Sequence, residues 1–181
     1  MCLQETKTNQ VSAARCYAIW GDNKVGWVHF EGENGGGCLL SMWHTDAFIY
    51  GSHTMGKGYI AVFGQNVKTN RLCAVVNVYA ACSRREKKAL WGELTHIKTV
   101  SQTLVWCCCG DFNAVRSQSE RKGVRERDNR SRETVDFNRF IDANLLIELP
   151  FVGKSFTWFN SNGSAKSRLD RVLVSEEWLQ I

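Results

Sequence analysis

Apolar positions come in short runs separated by glycine, a pattern that predicts strands through the first two thirds of the chain. Residues 25–30 (VGWVHF), 38–43 (CLLSMW), 47–50 (AFIY) and 59–63 (YIAVF) each have strand length, and Gly56 and Gly58 supply turn geometry between the last two. Their succession predicts a β-meander. Residues 71–81 (RLCAVVNVYAA) form the strongest strand candidate, because Val75, Val76 and Val78 are β-branched and the run is almost wholly apolar. A strand apolar on both faces belongs in the middle of a sheet.

The period then changes. Ser83-Arg84-Arg85-Glu86 fits a capping box, and Leu90, Leu94 and Ile97 recur at helical spacing, predicting a helix over 84–99. Residues 103–109 read as a buried strand ending at Gly110-Asp111-Phe112-Asn113. A charged loop over 114–132 follows. Ser131 is placed to cap a second helix, with Val135, Phe137, Phe140 and Ile141 as its apolar face and its close near Asn144. Pro150, the only proline, and Gly153 interrupt the chain before a strand at 155–159 and a turn at 160–163 (NSNG). A final strand over 168–174 carries Asp170. Helices inserted among strands predict packed sheets flanked by helices, an α/β (α+β) domain, and 181 residues require only one.

Eight cysteines contain no C-x-x-C pair and no Cys/His spacing of a zinc module. Cys107, Cys108 and Cys109 lie in an apolar run, where reduced thiols act as small hydrophobes, so free core thiols in a reducing compartment are expected. The N-terminus has no apolar signal region and no stretch approaches a membrane span, giving the expectation of an intracellular protein, nuclear or cytoplasmic. The formal charge of +5 permits a polyanionic partner. Residues 116–132 hold seven basic residues against three acids, so most of the excess sits in one loop. Arg116, Arg121, Lys122 and Arg125 are its candidate phosphate contacts; a solvated loop fits the charge run equally well.

Three carboxylates stand at strand ends: Glu5 in Gln4-Glu5-Thr6, Asp111 in G-D-F-N, and Asp170 in Ser167-Arg168-Leu169-Asp170-Arg171. Each alone also reads as a turn former or an ion-pair partner. Asp111 and Asn113, two apart, share one side of an extended segment and can hold one water between carboxylate and amide; the other reading is an Asx turn closing the strand.

The ordered set Q-E-T, N-V-Y (77–79), G-D-F-N and S-R-L-D-R resembles the successive motifs of the endonuclease/exonuclease/phosphatase (DNase I-like) superfamily. Leu90-Trp91, Glu120-Arg121-Lys122-Gly123, residues 137–141, Glu148-Leu149-Pro150, Phe156-Thr157-Trp158 and Leu173-Val174-Ser175 further resemble the endonuclease domain of plant LINE-type, non-LTR retrotransposons. The resemblance covers nearly the whole chain. It implies a four-layer sandwich of two packed, mostly antiparallel sheets with outer helices, and metal-assisted hydrolysis of DNA phosphodiesters at one rim. Glu5 would be the main protein ligand of Mg²⁺ or Mn²⁺, which needs only one or two carboxylates and keeps several waters. Asp111 and Asn113 would orient and deprotonate the attacking water, Tyr79 would contact the scissile phosphate, and Asn77, two residues earlier on the same face, would assist in substrate binding. Asp170 would orient a catalytic histidine.

In relatives that histidine belongs to a downstream Ser-Asp-His, and an asparagine-bearing strand precedes the glutamate. Here residues 1–181 begin four residues before Glu5 and end at Ile181, while His29, His44, His53 and His96 match no family position. The expectation is a domain incomplete at both termini, with weak or no nuclease activity as this chain alone. A degenerate, non-cleaving nucleic-acid binder and a phosphatase of small phosphoesters are the alternatives. DNA is the partner expected, with no stable protein partner.

Overall fold

The computed structural model describes residues 1–181 except 8, 9, 33–37, 102, 104, 124–127 and 181, and the side chains of 128–130. In chain order its elements are β1 (Cys2–Gln4), α1 (Ala13–Trp20), β2 (Val25–Phe30), β3 (Leu39–His44), β4 (Phe48–Gly56), β5 (Tyr59–Asn66), β6 (Leu72–Tyr79), α2 (Arg84–Val100), β7 (Val105–Asp111), β8 (Arg121–Lys122), α3 (Asp128–Ala143), β9 (Ile147–Glu148), β10 (Trp158–Phe159), β11 (Lys166–Ser167) and β12 (Asp170–Val174).

Six strands form one sheet in the order β4-β5-β6-β7-β12-β9, and three form a second in the order β1-β3-β2. The two stack face to face through Val28, Leu39, Ile60 and Val62. The outer face of the large sheet buries Val76, Val78, Trp106 and Cys108 against Leu90, Leu94, Phe137, Phe140 and Ile141 of α2 and α3. On the far side, Cys16 of α1 packs on Val25, Leu40 and Met42 of the small sheet. Helices, sheet, sheet and helix thus make four layers, the sandwich that the sequence predicts.

One connection positions the functional rim. Among the described strand pairs, β6 and β7 alone run parallel, joined by the α2 crossover, so their carboxyl ends emerge together. β12 runs antiparallel to β7 and starts at that same rim. The crossover helix begins as the sequence predicts: the Glu86 N–H donates to Ser83 Oγ at 3.3 Å, and Ser83 Oγ–H donates to Glu86 Oε2 at 2.7 Å.

Four expectations need correction. The strands of the first two thirds are not one meander, because the chain changes sheets between β3 and β4. Leu39, Leu40, Ser41 and Met42 are all buried, as befits a strand covered on both faces, whereas β4 is a largely exposed edge. Helix α1 is not legible in the apolar pattern; it is eight residues long, capped by Ser12 and ended by Gly21 in the left-handed region. Helix α3 begins at Asp128, which puts Ser131 inside it instead of at its cap. Finally, β10-β11-β8 form a third, small sheet beside the rim.

Candidate active site

Register fixes the site. Tyr79 at the end of β6 pairs with Asp111 at the end of β7, and Asp111 pairs across to Asp170 at the start of β12. In-register residues on adjacent strands project to one face, so these three form a row across the middle of the large sheet. That row lies on the side of the small sheet, and β1 crosses it there. Glu5, directly after β1 and in the left-handed region at φ 53°, accepts a hydrogen bond from the Tyr79 hydroxyl. The N-terminus is no frayed tail: the Met1 ammonium donates to the Met42 carbonyl at 2.7 Å.

Asn77 ties the layers together. Its side-chain amide donates to the carbonyls of Leu3 and Leu40, both at 3.1 Å, and its Oδ1 accepts from Gln4 Nε2 at 2.6 Å. It is fully buried and its hydrogen-bonding groups are committed to β1 and β3. The substrate contact expected of Asn77 is therefore replaced by a structural one, which holds the Glu5-bearing strand over the row.

The G-D-F-N turn is built from four distinct constraints. Gly110 has φ 135°, and a Cβ there would lie 2.1 Å from the Val78 carbonyl and 3.0 Å from Gln4 Nε2, so only glycine lets β7, β6 and β1 approach. Phe112 is fully buried and stacks on Trp91 of α2. The Asn113 N–H donates to Asp111 Oδ1 at 2.7 Å, an Asx turn, while Asn113 Nδ2 donates to the Ala80 carbonyl at 2.7 Å. Asn113 itself is left-handed at φ 46°. The pair is therefore not side by side on an extended segment; the turn folds Asn113 back over Asp111.

The electrostatics follow from this crowding. Burial, followed by the nearby Asp170 and Glu5 charges, pushes the Asp111 carboxyl up to about 6, against the opposing pull of the Asn113 N–H and Lys87. Tyr79 is held well above the ordinary phenol range by its bond to Glu5 and then by burial, so it stays a neutral donor. Asp170 forms no ion pair among the described residues. Its neighbours turn elsewhere: Arg168 to Glu148 at 2.7 Å, and the fully buried Arg171 to both Glu120 and Glu148.

With this geometry in view, the sequence profile of the endonuclease/exonuclease/phosphatase family matches residues 1–181. The chain belongs to that family. Comparison with curated protein sequences gives no match. Among solved structures, the family fold recurs in the AP endonuclease LMAP of Leishmania major, with TM-score 0.70 and 16% identity over 97% of this chain and 69% of that one. The endonuclease domain of TRAS1, a telomere-specific non-LTR retrotransposon, aligns with TM-score 0.62 and 14% identity over 89% of this chain and 70% of that one. The human Nocturnin catalytic domain aligns with TM-score 0.58 and 16% identity over 97% and 68%. At these identities the likeness is one of fold.

Within this member of the family the expected basic contacts divide. Arg116 is committed to structure: its Nε donates to Asn138 Oδ1 at 3.0 Å and its Nη1 to Glu148 Oε2 at 3.2 Å. That ion pair gives Arg116 a structural role beside the phosphate contact expected of it. Arg121 and Lys122 lie on β8; Arg121 Nε donates to Ser167 Oγ at 3.2 Å, and the exposed Lys122 sits 5.9 Å from the Phe156 ring centroid. Arg125 falls outside the described residues. The sequence reading missed Gln4, Lys87 and the Glu120–Glu148–Arg171 cluster. Only Arg171, followed by Val172, Leu173 and Val174 on a strand, carried a signal in its sequence surroundings, since a charge placed there is buried only when paired.

Proposed function

We propose that this domain hydrolyses DNA phosphodiesters with the help of Mg²⁺ or Mn²⁺, as the endonuclease domain of a LINE-type retrotransposon. The observation that carries the reading is the row Tyr79, Asp111, Asp170 on adjacent strands with Glu5 brought to Tyr79 from the facing sheet. A structural role alone gives no reason to face two carboxylates across a strand pair, where like charges destabilise.

The residues fit a hydrated hard cation. Glu5 offers a carboxylate at the rim, and the repulsion from Asp170 and Glu5 that adds to burial in lifting Asp111 is the kind a divalent ion relieves. Among the described residues no three His, Cys, Asp or Glu side chains close round one ion position, so Glu5 would hold a largely aquated ion and not a caged one. Bound there, the cation would supply charge neutralisation at the phosphate.

The chain's own groups do the rest. Asp111 Oδ2, free of the Asx turn that engages Oδ1, takes the proton of the attacking water as its oxygen adds to phosphorus, the ester P–O bond on the far side breaks, and the departing alkoxide takes its proton from solvent water. Above about pH 6 the carboxylate is ionised and competent for this. Asn113, fixed by Ala80, braces that carboxylate through its N–H. Tyr79, kept neutral, carries one hydroxyl proton, which Glu5 accepts in the free protein, and redirects it from Glu5 to a phosphate oxygen as charge develops there. Asp170 keeps the second carboxylate of the row facing Asp111, and Arg121 and Lys122 on β8 offer positive charge to the flanking backbone.

A second reading, nucleic-acid binding without cleavage, is favoured by one observation. None of the four histidines is hydrogen-bonded to Glu5, Tyr79, Asp111 or Asp170 among the described residues, so none of these four is placed to protonate a leaving group. Nicking of supercoiled plasmid in Mg²⁺ by the wild type and by Asp111→Ala decides between the two. Hydrolysis requires nicking that falls at least about 100-fold in the variant; equal rates with both proteins sink it.

A further inference from the structure

We infer that Lys87 is a positioning residue for the site, clamping the turn that presents Asp111 and Asn113 onto helix α3. The kinetic part of this inference rests on the hydrolytic reading, whereas the structural part does not.

Lys87 is only 4% exposed, on the face of α2 turned toward the large sheet and α3. A lysine is almost never buried there without a partner, and this one has two. Its Nζ donates to the Asn113 carbonyl at 2.9 Å and to Glu133 Oε2 of α3 at 2.9 Å. The first bond matters because Asn113 is left-handed, a conformation that asparagine tolerates better than other side chains and that local hydrogen bonds hold in place. Three bonds enforce it here: the N–H to Asp111 Oδ1, the side-chain amide to the Ala80 carbonyl, and the carbonyl to Lys87. The first two join the turn to its own sheet. The Phe112 ring packs the turn onto Trp91 of the helical layer, and Lys87 adds the polar tie, holding the Asn113 carbonyl itself and reaching through Glu133 to the helix that follows the basic loop. An apolar side chain of equal volume would fill the same space and leave the carbonyl loose, so the ammonium specifies the turn and not merely the packing.

Lys87→Met keeps the stem and removes the charge; Lys87→Arg restores a cation. Amide hydrogen exchange at Asn113 and Ala114, measured without DNA or metal, is expected to rise about tenfold in Lys87→Met and to recover in Lys87→Arg, with exchange in the middle of α2 and α3 unchanged. In plasmid nicking, kcat is expected to fall about 10- to 100-fold in Lys87→Met with KM nearly constant, since displacement of a catalytic group by a fraction of an ångström costs rate more than binding. Unchanged exchange at Asn113, or exchange that rises equally throughout both helices, overturns the inference. Should the wild type fail to nick, the hydrolytic reading falls while the exchange result still decides the role of Lys87. If Lys87→Met does not fold, Glu133→Gln removes only the counter-charge and is expected to loosen the same two amides; rigid amides in that variant overturn the inference.

Discussion

Replacing Asp111 by asparagine is expected to make the protein more stable while abolishing its activity. The Asp111 carboxyl is raised from 3.8 to about 6, by burial first and then by Asp170 and Glu5. Each unit is worth about 1.4 kcal/mol, so ionising this group in the folded state costs up to about 3 kcal/mol. Because Asp111 is partly open to solvent, screening reduces the net cost to about 1–2 kcal/mol. The sign follows from the two protonation equilibria. Below about pH 4 the carboxyl is neutral in both folded and unfolded chains, and no penalty exists. Between about pH 4 and 6 the unfolded chain ionises first, and the folded state loses stability. Above about pH 6 the penalty is complete. Asp111→Asn never ionises, and its Oδ1 still accepts the Asn113 N–H, so the turn is kept. Urea unfolding in EDTA at pH 4, 5, 6 and 8 should therefore show a stability gain that is absent at pH 4 and reaches about 1–2 kcal/mol at pH 8. A variant less stable than the wild type at pH 8, or one whose gain is the same at pH 4, would refute the reasoning.

The same geometry yields two further predictions. Tyr79→Phe removes the only described donor aimed at the row from β6 and should lower the nicking rate about 10²–10³-fold with little change in Tm, as steady-state kinetics and calorimetry would show. Gly110→Ala drives a Cβ to within 2.1 Å of the Val78 carbonyl at a positive φ, and should cost more than about 3 kcal/mol in urea unfolding; a loss below about 1 kcal/mol would mean that β6 and β7 are not so closely packed.

Much of this was legible in the sequence because local physics and tertiary context agree. Ser83, Glu86 and the Leu90/Leu94 spacing announce α2 to within a residue at its end, and the continuous apolar run before Tyr79 announces a central strand. G-D-F-N was legible as a strand-end turn, and the glycine that it requires proves to sit where two strands and Gln4 converge. What was not legible depends on contacts distant in sequence. Asn77 reads as a candidate substrate contact two residues before Tyr79 but is buried under β1, which lies more than seventy positions earlier. Arg116 belongs to a run of charges that suggests a solvated arm, and only the fold brings Glu148 to it. Lys87 falls among basic residues at a helix start, and its burial follows from α3 packing over it. The helix α1 was missed because its eight residues are all apolar except Arg15, so no polar face marks a helical period, leaving only Ser12 and Gly21 as signals.

The central claim is that residues 5, 79, 111 and 170 surround one cation-binding rim. Titrating ¹⁵N-labelled protein with Mn²⁺ and following paramagnetic broadening of its amide resonances tests this most directly. Loss of the Glu5, Tyr79, Asp111 and Asp170 signals together at substoichiometric Mn²⁺, abolished by Glu5→Gln, is the predicted result. Broadening centred elsewhere, or broadening of these residues that survives Glu5→Gln undiminished, would contradict it.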